Sequence, residues 1–118
     1  MKQRKMSDVQ QPLLTNVTIQ TFASDADRAL HDERWARIEE DIMARLTKNG
    51  LVSFKSMKVW NKDSDLVMLH IFEYRSPDAL KSCLPIWKEV EAVLFTGVAV
   101  KTVAYRGVVT DLWHADGA

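Results

Sequence analysis

The order of strand-like and helix-like segments constrains the fold of this chain more than any short motif does. Apolar and polar residues alternate over 13–23, as at Val17 and Ile19, which predicts a strand with one apolar and one polar face. A helix follows, then two strand-like runs separated by a polar turn at 61–65, a second helix and a long alternating strand over 98–113. The predicted order is therefore strand, helix, strand, strand, helix, strand.

Both helices begin and end at residues that favour those positions. Ser24 is followed three residues later by Asp27, and Ser76 directly precedes a proline, so each serine is a predicted N-cap. Asn49–Gly50 suits the end of the first helix, because both residue types tolerate a left-handed backbone. Pro85 lies inside the second helix and lacks an amide hydrogen, so we expect two short helical pieces there.

The third predicted strand, over 66–74, is apolar on both faces, which indicates that both faces are covered. The hairpin and the two helical crossovers predict an α+β fold, with a four-stranded antiparallel sheet and both helices on one face. Nothing in the chain is left to cover the other face, so we expect a second copy to pack there. The apolar residues are Val67, Leu69 and Ile71 on one face, and Leu66, Met68, Phe72 and Tyr74 on the other.

The length of 118 residues corresponds to one domain. Residues 1–12 are polar and lack periodicity, so they are predicted to be a mobile leader before a single domain over 13–113. Residues 114–118 are predicted to be a tail. The single cysteine, Cys83, falls on the apolar stripe of the second helix and is predicted to pack in the core.

The charge and hydropathy of the chain argue against two classes of partner. The 16 Lys and Arg residues balance 16 Asp and Glu residues, and no basic stripe occurs, so we expect no nucleic-acid binding. No stretch reaches the roughly 18 consecutive apolar residues of a membrane span, and the N-terminus has no secretory apolar segment. We therefore expect a soluble, cytoplasmic protein.

Three features of the sequence resemble the dimeric α+β barrel superfamily, which is ferredoxin-like in topology and includes the antibiotic-biosynthesis-monooxygenase-like proteins. They are the element order, the passage of the third strand into a helix start over His70–Leu80, and the long apolar last strand. The resemblance covers residues 13–113. It implies a homodimer in which two sheets pack face to face, and a pocket between the sheet and the helices of each subunit.

The activities of this superfamily include cofactor-independent oxygenation of aromatic polyketides, haem degradation, and isomerisation or lactone chemistry on small rings. Its haem-degrading branch typically uses an Asn on the first strand, a Trp at the end of the third and a His on the second helix. Asn16 matches the first and Tyr74 stands near the second, but the second helix has no His. That missing iron ligand argues against haem degradation, and we expect neither a cofactor nor a metal.

Two functional hypotheses follow from the resemblance. The first is a cofactor-independent monooxygenase or isomerase of a small apolar cyclic compound. The second is a non-catalytic homodimer that binds a small ligand or serves as an interaction module. Fold analogy does not choose between them.

His70 is the strongest single candidate for chemistry. It lies mid-strand on the same face as Met68 and Phe72, where desolvation would lower its pKa and favour the neutral imidazole. A neutral imidazole could take a proton from a phenolic or enolic substrate, with Tyr74 and Asn16 as hydrogen-bonding groups. The alternative is a partly buried structural histidine bonded to a backbone carbonyl or to water.

Four aromatic residues are predicted to line a substrate pocket: Trp35, Trp60, Phe72 and Trp87. A five-residue turn would put Trp60 opposite Leu66 and Phe54 opposite Phe72, on the face of His70. The other register would point them away. Trp35 and Trp87 lie on the inward stripes of the helices, where filling the core is the alternative role.

Several other polar residues are predicted to lie outside the site. His31 has no second ligand at helical spacing and is assigned to a solvated helix face, and His114 is expected to be exposed. Tyr105, Arg106 and Asp111 on the last strand are candidates for a dimer interface, where surface ion pairs contribute little energy.

Overall fold

A computed structural model describes residues 2–5, 13–62 and 66–115. Its elements are β1 (Lys2–Lys5), β2 (Leu14–Phe22), α1 (Asp25–Lys48), β3 (Leu51–Lys58), β4 (Val67–Tyr74), α2 (Pro77–Leu94), β5 (Val100–Val108) and β6 (Asp111–His114). From β2 to β5 the elements follow the predicted order. The predicted βαββαβ fold is therefore confirmed.

The main sheet has the strand order β3-β4-β2-β5, and every neighbouring pair is antiparallel. This is the ferredoxin-like arrangement, with both helices packed on one face. Phe54 lies opposite Phe72, and His70 lies between Ser56 on β3 and Thr18 on β2. Of the two hairpin registers considered from the sequence, the one that pairs Phe54 with Phe72 is the one observed.

The predicted N-caps are confirmed. The Ser24 hydroxyl oxygen accepts the backbone N–H of Asp27 at 3.1 Å, and the Ser76 hydroxyl oxygen accepts that of Ala79 at 3.2 Å. These contacts satisfy amide groups that the first turn of a helix leaves without a partner. The first helix ends as predicted, since Asn49 is its C-cap and Gly50 has a φ of 107°.

The helix α2 is continuous through Pro85, so the prediction of two short pieces is wrong. A proline in a helix interior removes one backbone hydrogen bond, but packing on both sides of it can hold the helix together. Cys83 lies before the proline and Ile86 and Val90 after it, and all three are buried. The core role predicted for Cys83 is confirmed, because its exposure is 0%.

The chain ends differ from their predictions. The strand β1 pairs antiparallel with β6, so Lys2–Lys5 form a strand within the segment 1–12 for which the sequence predicted a mobile leader. Strand pairing uses backbone groups and needs no apolar pattern, which is why the polar sequence did not indicate it. The predicted last strand is divided into β5 and β6, and His114 is exposed as predicted. Residues 6–12 and 116–118 lie outside the described residues.

The central strand β2 presents its polar side chains to the helices. Asn16 and Gln20 are only 6% and 5% exposed, and Thr18 lies between them on the same face. Because successive side chains point to opposite faces, Val17 and Ile19 project from the side of the sheet opposite α1 and α2. No helix in the described part of the chain has the length and apolar character needed to cross a membrane.

Candidate functional site

A cavity of about 550 Å³ lies between the main sheet and the two helices. The sheet supplies a largely polar floor, and the helices supply a largely apolar roof. The floor residues include Asn16, Thr18, Gln20, Ser56, His70, Tyr74, Thr102 and Arg106, and the roof residues include Trp35, Leu80, Leu84, Trp87, Val90 and Leu94. Such a cavity can enclose a small, mostly apolar molecule and orient it through a few polar groups.

His70 is held from both sides of its ring in the floor of the cavity. Its Nε2 lies 2.6 Å from Gln20 Oε1, and its Nδ1 lies 2.6 Å from the hydroxyl oxygen of Ser56. An amide oxygen can only accept, so Nε2 carries the proton and Nδ1 accepts the hydroxyl proton of Ser56. The imidazole is thereby fixed in one orientation and one tautomer.

The environment of His70 keeps its ring neutral. Burial lowers the pKa of His70 to about 4, with a further lowering from His31 and an opposing effect of Asp32. The predicted lowering of this pKa is confirmed. At neutral pH the ring can accept a proton only at Nδ1, which already accepts a hydrogen bond from the Ser56 hydroxyl.

Tyr74 lies deepest among the polar residues of the floor, with an exposure of 1%. Its hydroxyl oxygen accepts the indole N–H of Trp87 at 2.8 Å. Burial raises the pKa of Tyr74 to about 12, although the Trp87 bond and the charge of Arg106 lower it. Among the described residues the Tyr74 hydroxyl proton has no acceptor, so it is available to a bound ligand.

Asn16 connects two further polar residues of the floor. Its side-chain oxygen accepts the Nε–H of Arg106 at 3.0 Å, and its side-chain nitrogen donates to the Thr18 hydroxyl at 2.8 Å. Both ends of the amide are therefore engaged. No buried side-chain nitrogen or oxygen of the described residues lacks a hydrogen-bond partner, which explains how a polar row is tolerated beneath the helices.

An aromatic cluster closes one side of the cavity. The ring centroids of Phe54 and Phe72 are 4.8 Å apart, and Phe72 meets Trp87 edge to face at the same distance. Trp35 meets Phe54 edge to face at 6.1 Å, and the His70 ring stacks near Phe54 at 6.2 Å. Flat aromatic walls of this kind favour flat ring-shaped ligands.

Of the seven site residues predicted from the sequence, six line this one cavity: Asn16, Trp35, His70, Phe72, Tyr74 and Trp87. The placement of Trp60 is wrong, because its side chain is 95% exposed and lies outside the cavity. The strand β3 ends at Lys58, so the backbone at Trp60 no longer alternates with the sheet. The functional roles of the six residues remain proposals.

His31 also lines the cavity, and its assignment to a solvated helix face is wrong. It is 6% exposed, packs edge to face on Phe22 with centroids 5.0 Å apart, and stacks near Phe95 at 6.0 Å. The signal was in the sequence, because His31 stands four residues before Trp35 and so extends the inward stripe of α1. Among the described residues no group of three His, Cys, Asp or Glu side chains could hold a metal ion.

Arg106 faces the helices, so its assignment to a dimer interface is wrong. It lies opposite Asn16 and lines the cavity, whereas the neighbouring Tyr105 projects from the other face and is 66% exposed. Alternation shows that the two residues face opposite ways. The pairing register between β5 and β2 decides which face of the sheet each side chain occupies. The sequence of β5 alone does not show this register.

The sequence matches the family model described as Domain of unknown function (DUF6974) over residues 11–109. This match spans most of the chain, and the protein belongs to that family. No curated protein is significantly similar to it in sequence.

Solved structures with the same fold are similar over nearly the whole domain. A dimeric ferredoxin-like protein from an uncultured marine organism is 24% identical, with a TM-score of 0.75 over 87% of this chain and 99% of its own. A second such protein, also from an uncultured marine organism, is 18% identical, with a TM-score of 0.73 over 84% and 96%. SnoaB, a cofactor-independent oxygenase from Streptomyces nogalater, is 17% identical, with a TM-score of 0.59 over 91% and 99%. The chain therefore has the ferredoxin-like α+β fold of these solved structures, as the sequence predicted.

Proposed function

We propose that this protein is a cofactor-independent monooxygenase or isomerase that acts, as a homodimer, on a small and largely apolar cyclic compound with a phenolic or enolic oxygen. The main support is one neutral imidazole, His70, oriented within a cavity that has aromatic walls. The similarity of the fold to that of SnoaB, described as a cofactor-independent oxygenase, is consistent with this chemistry. It does not identify a substrate.

The proposed reaction starts with proton removal from the substrate. His70 Nδ1 takes the proton, either directly after Ser56 moves aside or through the Ser56 hydroxyl. The Tyr74 hydroxyl donates its unused proton to an oxygen of the resulting anion, and Asn16 helps to position the ring. In the isomerase version the proton returns to another atom of the ring.

The oxygenase version requires O₂ as co-reactant and no external reductant. The substrate anion transfers electrons to O₂, and a ring methylene loses two hydrogens and becomes a carbonyl with one of the oxygen atoms. The second oxygen atom leaves as water. The substrate is oxidised and O₂ is reduced within the same step sequence, so the electrons balance without a cofactor.

Dimerisation in this proposal uses the face of the sheet that the helices leave uncovered. Val17, Ile19, Leu69 and Ile71 lie on the two central strands of that face, and Tyr105 lies on the neighbouring edge strand. An apolar sheet surface of this kind is typical of an interface. The two marine proteins of the same fold are described as dimeric.

One observation favours a non-catalytic ligand-binding homodimer as the alternative. The lone pair of His70 already accepts the Ser56 proton, and a pKa near 4 makes the ring a weak base. Such a histidine can hold a ligand without removing a proton from it. Under this alternative the cavity binds ring compounds and returns them unchanged.

Oxygen uptake and ligand binding together test the two proposals. The wild-type protein is mixed with anthrones and naphthols. O₂ consumption and product mass detect oxygenation, chromatography and the absorption spectrum of the product detect isomerisation, and quenching of tryptophan fluorescence detects binding. If the enzyme proposal holds, His70→Ala lowers turnover at least about a hundredfold while binding changes little. The matched control is His114→Ala at the exposed histidine, which should have wild-type turnover.

Two results contradict the enzyme proposal. Binding without any turnover across the panel favours the ligand-binding module, and equal turnover in His70→Ala removes the assigned base. If no ring compound binds, the cavity has neither proposed role.

A further inference from the structure

We infer that the ring compound bound in this cavity carries a carboxylate and that Arg106 pairs with it. The inference rests on the proposed function, because it concerns a ligand of the same cavity. It adds a substrate class, namely acidic ring compounds, and a residue that determines specificity.

Arg106 is held in a defined orientation at the β5 side of the cavity. Its Nε–H donates to the side-chain oxygen of Asn16 at 3.0 Å, and Asn16 is 6% exposed and bonded in turn to Thr18. This anchor uses the Nε–H and leaves the two terminal nitrogens of the guanidinium available. Less side-chain freedom is then lost when a ligand binds, so recognition costs less.

The charge of Arg106 has no carboxylate partner among the described residues. Other arginines of the chain do have one: Arg37 pairs with Glu33, and Arg45 pairs with Glu89. The acids that line the cavity, which are Asp32, Glu39 and Glu91, all belong to the helices. The Arg106 side chain is exposed to solvent and also lines the cavity, so an anchored cation without an internal partner stands where an anionic ligand can reach it.

A carboxylate fits this position better than a phosphate. Two terminal N–H groups of one guanidinium match the two oxygens of a carboxylate in a bidentate pair. The remaining surface of the cavity is mostly apolar and aromatic, which suits a ring bearing one small charged group. Because Arg106 lies on the helix-facing side of β5, a partner copy docked on the opposite face would not neutralise it.

The spacing between Arg106 and His70 sets the shape of the ligand. Arg106 lies opposite Asn16 on one side of β2, and His70 lies opposite Thr18 on the other side. Standard strand geometry then separates their Cα atoms by about 12 Å. With both side chains extending into the cavity, a compound of two or three fused rings can place its carboxylate at Arg106 and its hydroxyl near His70.

Binding of matched ligands tests this inference. The probes are 6-hydroxy-2-naphthoate, which has a hydroxyl and a carboxylate at opposite ends, and its uncharged methyl ester. Dissociation constants are measured by calorimetry for the wild type, Arg106→Gln, Arg106→Lys and Lys101→Gln. Lys101 lies on the same strand but on the opposite face of the sheet, so its variant is the matched control.

The wild type should bind the acid at least about tenfold more tightly than the ester. Arg106→Gln should abolish this preference with little change in ester binding, and Arg106→Lys should retain only part of it because an ammonium cannot form the bidentate pair. Lys101→Gln should behave as the wild type. Far-ultraviolet circular dichroism of each variant verifies that it is folded.

The outcomes separate this inference from the proposed function. If acid and ester bind equally well to the wild type, or if Arg106→Gln keeps the preference, the carboxylate inference is wrong while the cavity still binds rings. If neither probe binds, the inference is wrong and the proposed function loses its ligand site as well.

Discussion

The two faces of the main sheet have opposite characters, because one is polar beneath a cavity and the other is apolar on the side away from α1 and α2. Under the helices, β2 presents Asn16, Thr18 and Gln20, and a cavity remains above them. On the other face the same strand presents Val17 and Ile19, on the side away from α1 and α2. In an isolated domain the apolar row would be expected to face the helices. The hydrogen bonds of the polar row stabilise this reversal, and the proposed dimer would cover the apolar row.

A charge in the middle of the uncovered face should have the largest effect. We expect the wild type to have the mass of a dimer at micromolar concentration in light scattering. Ile19→Asp should weaken dimerisation at least about a thousandfold, or about 4 kcal/mol, because association would bury unpaired carboxylates. Thr21→Asp is the control, since Thr21 lies at the exposed end of the same row. A monomeric wild type, or an Ile19→Asp protein that stays dimeric, would remove the assigned interface.

A close contact between Gly50, after the end of α1, and Ala79, in the first turn of α2, offers a second test. A Cβ at Gly50 would lie 2.4 Å from the Cβ of Ala79, and the φ of 107° already disfavours any other residue. Gly50→Ala should therefore lower the free energy of unfolding by about 3 to 4 kcal/mol. Gly97 also has a positive φ of 74° but no atom within 4 Å of such a Cβ, so Gly97→Ala should cost only about 1 kcal/mol. Urea titration gives both values, and equal losses would contradict the contact.

The low pKa of His70, which lies on the cavity side of the sheet, predicts that the free energy of unfolding depends on pH. The pKa is about 4 in the folded protein and near 6.5 when the chain is unfolded, so the unfolded state binds more protons between these values. Stability should fall as the pH is lowered from about 6.5 to about 4, with a contribution from His70 of up to about 3 kcal/mol.

The difference between the wild type and His70→Gln isolates this contribution from that of the carboxylates. Urea unfolding at several pH values gives the free energy of unfolding of both proteins. Above about pH 6.5 this free energy should change with pH in the same way in the wild type and in His70→Gln. An NMR titration of the His70 ring with a midpoint near 6.5 would show that the ring is not desolvated as described.

Two tyrosines, one on each face of the sheet, allow a direct comparison of the two faces, with the smallest expected changes in unfolding free energy. Tyr74→Phe removes the acceptor of the Trp87 indole N–H, and we expect a loss of about 1 to 2 kcal/mol in unfolding free energy. Tyr105→Phe on the uncovered face changes an exposed side chain and should cost less than about 0.5 kcal/mol in the monomer. If the two losses are the same, the Tyr74 hydroxyl contributes nothing specific to the cavity.

Local signals predicted the parts of the fold that depend on neighbours in sequence. Ser24 and Ser76 cap their helices through residues three positions ahead, and Gly50 ends the first helix. The turn between β3 and β4 left two pairing registers open, and the observed pairing of Phe54 with Phe72 is one of them. The failure at Pro85 has a different origin, because long-range packing on both sides of it maintains the helix.

The site was predictable as a set of residue types but not as an arrangement. His70 was identified as a neutral histidine from its apolar neighbours, yet its partners Ser56 and Gln20 come from two other strands. Arg106 was assigned to the wrong face because its register with Asn16 joins distant parts of the chain. Trp60 was placed in the site because the strand was extended two residues too far.

By itself, the sequence determined the element order and the helix caps, since turn residues and caps act over a few positions of the backbone. It left two pairing registers open for the hairpin of β3 and β4. The tertiary structure alone decided which face of β2 lies beneath the helices. Alternation assigns side chains to two faces without saying which face is covered. That choice depends on the docking of α1 and α2 and on the pairing of β2 with β4 and β5, and it places His70, Tyr74 and Arg106 around one cavity.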